Sequence, residues 1–280
     1  MTRTALVLGG GGVTGIAWEL GILKGLADAG VDVTAADLVV GTSAGSVVGA
    51  QVTSGLALDD LYDGQLAPPD KEIGATLSRG TLLRMMLPAV VPGSPQRKLQ
   101  RIGRMSLKAH PPGGEERVEV IRSRIHVDRW PDHDLRVTAV DAEAGRFRVF
   151  DKDAGVDLVH AVAASCAVPL VWPAVTIDGS HYVDGGVRST TNADLAKGCD
   201  AVVVIAPIPQ SFSRHMSIEA QLGRTGASRT AAVAPDKQAL SDIGRNVLDP
   251  AKRADAARSG LRQAAEVADR VREAWVRADR

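Results

Sequence analysis

Cysteine is scarce: the 280 residues hold two, Cys166 and Cys199. Neither stands in the spacing of a metal site or a redox pair, so both read as small core residues. Net charge is also missing. The 33 Lys and Arg balance 33 Asp and Glu, which leaves no global electrostatic case for nucleic acid as a partner. No apolar run reaches the roughly 20 residues of a membrane span. A secretory signal is missing too, since Met1-Thr2-Arg3 leads directly into an apolar run and then glycines. These absences lead us to expect a cytoplasmic protein that meets a membrane at most peripherally. What remains is an ordinary globular composition, 45% hydrophobic and 24% charged, in a length that suits one large α/β domain.

The most telling stretch is Leu38-Val39-Val40-Gly41-Thr42-Ser43-Ala44-Gly45-Ser46. A β-branched run meets Gly-x-Ser-x-Gly, and helix-compatible small residues follow. This is the grammar of a nucleophile elbow, a sharp strand-to-helix turn that carries a serine at its tip. So tight a turn tolerates almost no side chain two positions before or after the serine, where Gly41 and Gly45 stand. The helix beginning after Ser43 aims its positive end at that hydroxyl.

Upstream, Thr4 to Leu8 suits a buried parallel strand. Gly9-Gly10-Gly11-Gly12-Val13-Thr14-Gly15 follows, and then a helix over Ile16 to Ala29, stopped by Gly30. The pattern Gly10-x-Gly12-x-x-Gly15 fits a dinucleotide fingerprint. It fits equally a loop of bare amides forming an oxyanion hole. The second strand favours the oxyanion hole, because it ends in the serine elbow where a dinucleotide fold wants an acid for the ribose. A tight turn without any ligand is the remaining alternative.

Residues 63–116 change character and read as an insertion within a single domain, punctuated by prolines. The segment 81–92 is apolar apart from Arg84. Arg97, Arg101, Arg104 and Lys108 then recur at helical spacing as a cationic stripe. Two readings fit: a lid or lipid-interface surface over 81–108, or a plain helical cover with a solvated face. Beyond it, strands are expected at 135–141 and 146–150, a helix at 156–166, and a strand pair at 175–179 and 181–186 that ends in Asp184-Gly185-Gly186. A further buried strand is expected at 200–206. Residues 210–230 read as loop, and the chain from Pro235 as helical, with Leu261, Ala264, Ala265, Ala268, Val271 and Trp275 on one face.

A serine nucleophile needs a base. None of the six His sits in a setting that demands catalysis, and only His215 lies after Asp184 in the order Ser, Asp, His. Asp184, at a strand end beside two glycines, is the better placed.

Three ordered motifs, residues 10–15, 41–45 and 184–186, together with the flanks Leu20 to Leu26 and Asp178 to Gly186, resemble the patatin-like phospholipases. The resemblance touches about residues 4–56 and 156–206. It implies a three-layer α/β/α sandwich around a mostly parallel sheet, and a Ser43–Asp184 dyad that hydrolyses acyl esters without histidine. It implies an oxyanion hole from the backbone amides around Gly10, Gly11 and Gly12. Gly15, Gly41, Gly45, Gly185 and Gly186 are implied as structural members of the motifs. No metal or organic cofactor is implied, and the partner would be a lipid or small acyl-ester substrate. Thr14 departs from the family, which carries Lys or Arg there. That departure weakens a phospholipid assignment more than an ester-hydrolase one. An acyltransferase, a general carboxylesterase and a non-catalytic regulatory protein remain as alternative readings. A dyad without histidine is expected to lack a pH limb near 6.5.

Overall fold

The computed structural model describes residues 2–68, 75, 80–81, 84–85, 88, 91–110, 114–211 and 213–275. Most of segment 69–90 and residues 111–113, both within the expected insertion, lie outside the described residues.

The described strands are β1 (Thr4–Leu8), β2 (Leu38–Gly41), β3 (Asp134–Asp141), β4 (Phe147–Phe150), β5 (Val175–Ile177), β6 (Ser180–Asp184), β7 (Ala201–Ile205) and β8 (Arg229–Val233). They form one mixed sheet in the order β5-β6-β3-β2-β1-β7-β8, with β4 on β3. The run from β3 through β2, β1 and β7 to β8 is parallel. Strands β4, β5 and β6 join antiparallel. Helices cover it: α1 (Gly12–Asp28), α2 (Ala44–Thr53), α3 (Leu58–Leu66), α4 (Pro95–Ala109), α5 (Glu115–Ile125), α6 (Leu158–Ser165), α7 (Ile218–Thr225), α8 (Lys237–Ile243) and α9 (Arg253–Trp275).

Alternation along the strands sorts the core into two faces. Leu6, Leu8, Val39, Val203 and Ile205 face the larger helical layer, with Trp18, Leu20, Ile121 and Val159 among its members. Ala5, Val7, Val40, Val202 and Val204 face the opposite way, toward Ala193, Ala196 and Ile218. The insertion helix α4 packs Ile102, Leu99 and Leu107 against Val140, Val183 and Val187, which extends this cover. The three layers expected from the sequence are therefore present.

Two local expectations change. Residues 210–230 are not merely loop, because α7 lies there and the edge strand β8 begins at Arg229. The short run Arg229–Val233 carries no strand signal of its own, and its partner, β7, supplies the pairing. Ala265 is exposed, whereas Ala264, Ala268 and Val271 of the same helix are buried. The reason is the close approach of α9 to α1. A Cβ on Gly21 would stand 2.2 Å from the Ala257 carbonyl, and one on Gly260 would stand 2.3 Å from that of Trp18. The contact is centred on the Ala257, Gly260 and Ala264 side of α9.

Candidate active site

Strand β3 explains how two distant residues meet. Val137 pairs with Gly41 on one edge and with Phe150 on the other. Ala139 pairs with Arg148 on that second edge, so its pairing with Asp184 lies on the same edge as Gly41. Strands β2 and β6 thus share one edge of β3 and run toward each other. Their C-terminal ends stop two residues apart along β3, about 7 Å. Each strand ends in glycine-flanked turn sequence, and from these opposed ends project Ser43 and Asp184.

Ser43 sits at φ 52° and ψ −115°, a left-handed conformation that costs a non-glycine residue about 1–3 kcal/mol. The surroundings hold it there. Its N–H donates to Ser165 Oγ at 2.9 Å. Its carbonyl accepts from Ser46 Oγ at 2.7 Å and from Cys166 Sγ at 3.4 Å. The elbow is as crowded as the sequence suggests. A Cβ on Gly45 would come within 2.1 Å of the Leu8 carbonyl, and one on Gly41 within 2.6 Å of the Gly45 carbonyl. Cys166 is buried, and burial pushes its thiol up to about 11.

Asp184 is 4% exposed. Burial raises its carboxyl to about 6, against the opposing pull of the nearby Ser43 hydroxyl and the Gly186 amide. The amide bond is 2.7 Å long, to Oδ1. Gly185 and Gly186 are needed for space: a Cβ on Gly185 would lie 2.3 Å from Thr138 Oγ1, and one on Gly186 would lie 2.9 Å from the Asp184 carboxylate. A carboxylate at about 6 revises the pH expectation. A limb near pH 6 is expected here from the base itself, without histidine.

The glycine loop lies against the serine. A Cβ on Gly10 would be 3.5 Å from Ser43 Cβ. Its N–H, however, donates to the Thr190 carbonyl at 2.7 Å. Of the three amides expected to form an anion-binding hole, those of Gly11 and Gly12 have no partner among the described residues. They stand at the start of α1, whose dipole favours negative charge. A Cβ on Gly15 would lie 3.3 Å from Pro207 Cβ and 3.5 Å from Ala44 Cβ, so the glycine keeps this corner of α1 close to both. Thr14 is buried, and its N–H and hydroxyl both donate to the Val247 carbonyl at 3.1 and 3.3 Å. The position that carries a cation in the resembling family here clamps the loop to the segment before α9.

A cleft of about 400 Å³ opens on these groups. Ser43, Asp184 and the glycine loop form its floor. Met85, Val168, Pro169, Val187, Ile208 and Leu248 give it an apolar wall. No histidine lines it. His181 faces Glu143 and His160 faces Asp157, while His215 is exposed on the 214–216 turn. The dinucleotide alternative gains nothing from Asp37, an acid that precedes the second strand, since it is engaged by the Thr4 amide and hydroxyl at 2.7 and 2.8 Å. Ser165, Thr138 and Asn192 are close to the site and carry no motif that would have marked them in advance.

The fold and this arrangement define an α/β/α protein with a serine on a strand-to-helix elbow and a carboxylate beside it. The Patatin-like phospholipase family model matches residues 6–197, and the chain belongs to that family. As a member it is a hydrolase acting on ester bonds. No curated protein matches the chain. Among solved structures, VipD from Legionella pneumophila is similar in fold, with a TM-score of 0.50 at 13% identity over 96% of this chain and 67% of that one. The type III effector ExoU, which comes from Pseudomonas aeruginosa, aligns at 16% identity with a TM-score of 0.43. This chain spans about half of its length, covering 54% of it. The likeness to VipD bears on the fold alone.

Proposed function

We propose that the protein is a lipid acyl hydrolase working through a Ser43–Asp184 dyad. The observation that carries this reading is that Ser43, on its strand-to-helix elbow, and a buried Asp184 line the same apolar cleft together with the glycine loop. Ionised Asp184 takes the serine proton as Oγ attacks the acyl carbon. The carbonyl oxygen becomes an oxyanion, which the amides of Gly11 and Gly12 and the dipoles of α1 and α2 stabilise. One well-placed donor is worth about 3–4 kcal/mol. The tetrahedral intermediate collapses, the ester C–O bond breaks, and Asp184 returns the proton to the leaving alkoxide. Water then attacks the acyl-serine with Asp184 as base. A lone carboxylate is a weak base for serine. Raising it to about 6 improves the match while keeping it ionised at neutral pH.

The wall of Met85, Val168, Ile208 and Leu248 suits an acyl chain. Peripheral contact with a lipid surface through 81–108 fits the exposed Arg97, Arg104 and Lys108 on α4. Arg101, the fourth cation of the stripe, instead donates to the Val91 and Pro92 carbonyls at 3.1 and 3.0 Å.

The test is an ester panel from short to long acyl chains with Ser43→Ala and Asp184→Asn variants, alongside fluorophosphonate labelling read by intact mass. Loss of both turnover and labelling in Ser43→Ala supports the reading. Retained turnover in that variant overturns it.

A further inference from the structure

A buried polar cluster lies against the two opposed strand ends, its members Asn192, Thr42 and Thr138 outside the lining of the cleft. Its centre is Asn192, fully buried at φ 51°, a left-handed conformation that asparagine tolerates better than most residues. Its Oδ1 accepts from Arg188 at 2.6 Å. Arg188 is itself fixed by a two-point pair with Asp194 at 3.0 and 2.6 Å and by stacking over Phe147. With the oxygen held there, the amide nitrogen must face the other way. Four acceptors lie within reach of Nδ2: the Ser189 carbonyl at 2.9 Å, Thr42 Oγ1 at 3.1 Å, Thr138 Oγ1 at 3.3 Å and the Gly185 carbonyl at 3.4 Å.

Two of these acceptors are direct neighbours of the proposed dyad. Thr42 precedes Ser43, and Gly185 follows Asp184. Thr138 sits on β3 between the two strand ends and shares a 2.9 Å hydrogen bond with Thr42. Strands β2 and β6 do not pair with each other; both pair with β3 here, and segment 165–167 also holds both ends, through Ser165 Oγ on the Ser43 N–H and the Ala167 carbonyl on the Asp184 N–H. A single side chain that reaches the residue after Asp184 and the residue before Ser43 therefore helps to set their separation. Proton transfer from Ser43 to Asp184 is sensitive to that separation, because a displacement of about 1 Å can cost about 100-fold in rate.

We infer that Asn192 is a positioning residue that fixes the Ser43 elbow relative to Asp184 from outside the lining of the cleft, without touching substrate. This rests on the dyad reading above.

Two variants test it. Asn192→Asp keeps the left-handed backbone and the Arg188 contact but replaces the amide donor with an oxygen facing two carbonyls. Asn192→Gly keeps the backbone and removes the side chain. Both are assayed on a soluble short ester beside wild type and Ser43→Ala, with folding checked by thermal melting. The expected result is a kcat at least about tenfold lower in both folded variants, with KM within about twofold. Fluorophosphonate labelling slows in parallel. The acid limb of kcat moves upward, because a displaced Ser43 hydroxyl no longer steadies the ionised carboxylate. Folded variants with kcat within about threefold of wild type and an unmoved acid limb overturn the inference, whereas an active Ser43→Ala would overturn the dyad itself. If Asn192→Asp melts far below wild type, the kcat and acid limb of Asn192→Gly decide the matter by the same thresholds.

Discussion

At Asp184 the chemistry and the stability of the fold pull in opposite directions. Its burial lifts the carboxyl from the ordinary value of 3.8 to about 6, a difference worth about 3 kcal/mol against the folded state once the group is ionised. Below the ordinary carboxylate value this penalty is absent. As pH rises through the window between that value and about 6, the unfolded chain has released a proton the folded chain still holds, and stability falls. Asp184→Asn is therefore expected to abolish turnover, raise stability at pH 7.5 by up to about 3 kcal/mol, and flatten the dependence between pH 4 and 6. Chemical denaturation at several pH values measures this. In wild type, kcat is expected to fall on the acid side with a midpoint near 6, and that midpoint should persist in each His→Ala variant. Gly10→Ala is a second residue-scale test. Its new methyl would meet only ordinary contacts of 3.5–3.9 Å, the nearest being Ser43 Cβ, so the protein should fold while substrate access to the serine is reduced. Gly11→Ala is less clean, since its Cβ would lie 2.5 Å from Pro207 and must displace the loop.

Among the elements, α1 does two jobs. Its N-terminus presents the Gly11 and Gly12 amides, which have no partner among the described residues, and its middle packs against α9 with almost no intervening side chain. Glycine is disfavoured in helices by about 1 kcal/mol, and here the close approach requires it. Gly21→Ala would drive a methyl against the Ala257 carbonyl, and a loss of about 1–3 kcal/mol is expected from overpacking. The same helix carries Glu19, buried with no side-chain hydrogen-bond partner among the described residues. Burial holds that carboxyl well above its usual range. The unfolded chain ionises it near 4.5 and the folded chain does not, so its contribution to stability falls as pH rises above that value. Glu19→Gln should raise the melting temperature at alkaline pH more than at pH 5. A thermal melt series from pH 5 to 9 reads the difference directly.

For the whole molecule, the cleft sits where the main sheet, the C-terminal segment through Val247 and Leu248, and the insertion through Met85 converge. The insertion therefore borders the site and also carries the exposed cations of α4. Reversing Arg97, Arg104 and Lys108 to Glu should weaken binding to anionic vesicles in a salt-dependent way and leave hydrolysis of a soluble ester nearly unchanged. Vesicle sedimentation at low and moderate salt is the measurement. Unchanged sedimentation at low salt would rule out this surface as the contact. Arg101 is left out of that variant because its carbonyl contacts brace the segment leading into α4.

The linear chain carried the local grammar. Gly41, Ser43 and Gly45 announce an elbow because only glycine fits where a strand turns straight into a helix, and the run Gly9 to Gly12 announces bare amides at a helix start. Alternating and 3.6-residue patterns placed most strands and helices for the same reason, since burial must follow backbone period. Tertiary structure decided what depends on residues far apart in the chain. Strand β8 needed β7 to become a strand, and Ala265 turned outward because glycines on α1 and α9 chose a different contact line. The shared edge of β3 brought the ends of β2 and β6 together. The Thr190 carbonyl took up the Gly10 amide and left those of Gly11 and Gly12. The Asp184 carboxyl reached about 6 because desolvation is a property of the folded interior, and no local sequence encodes it.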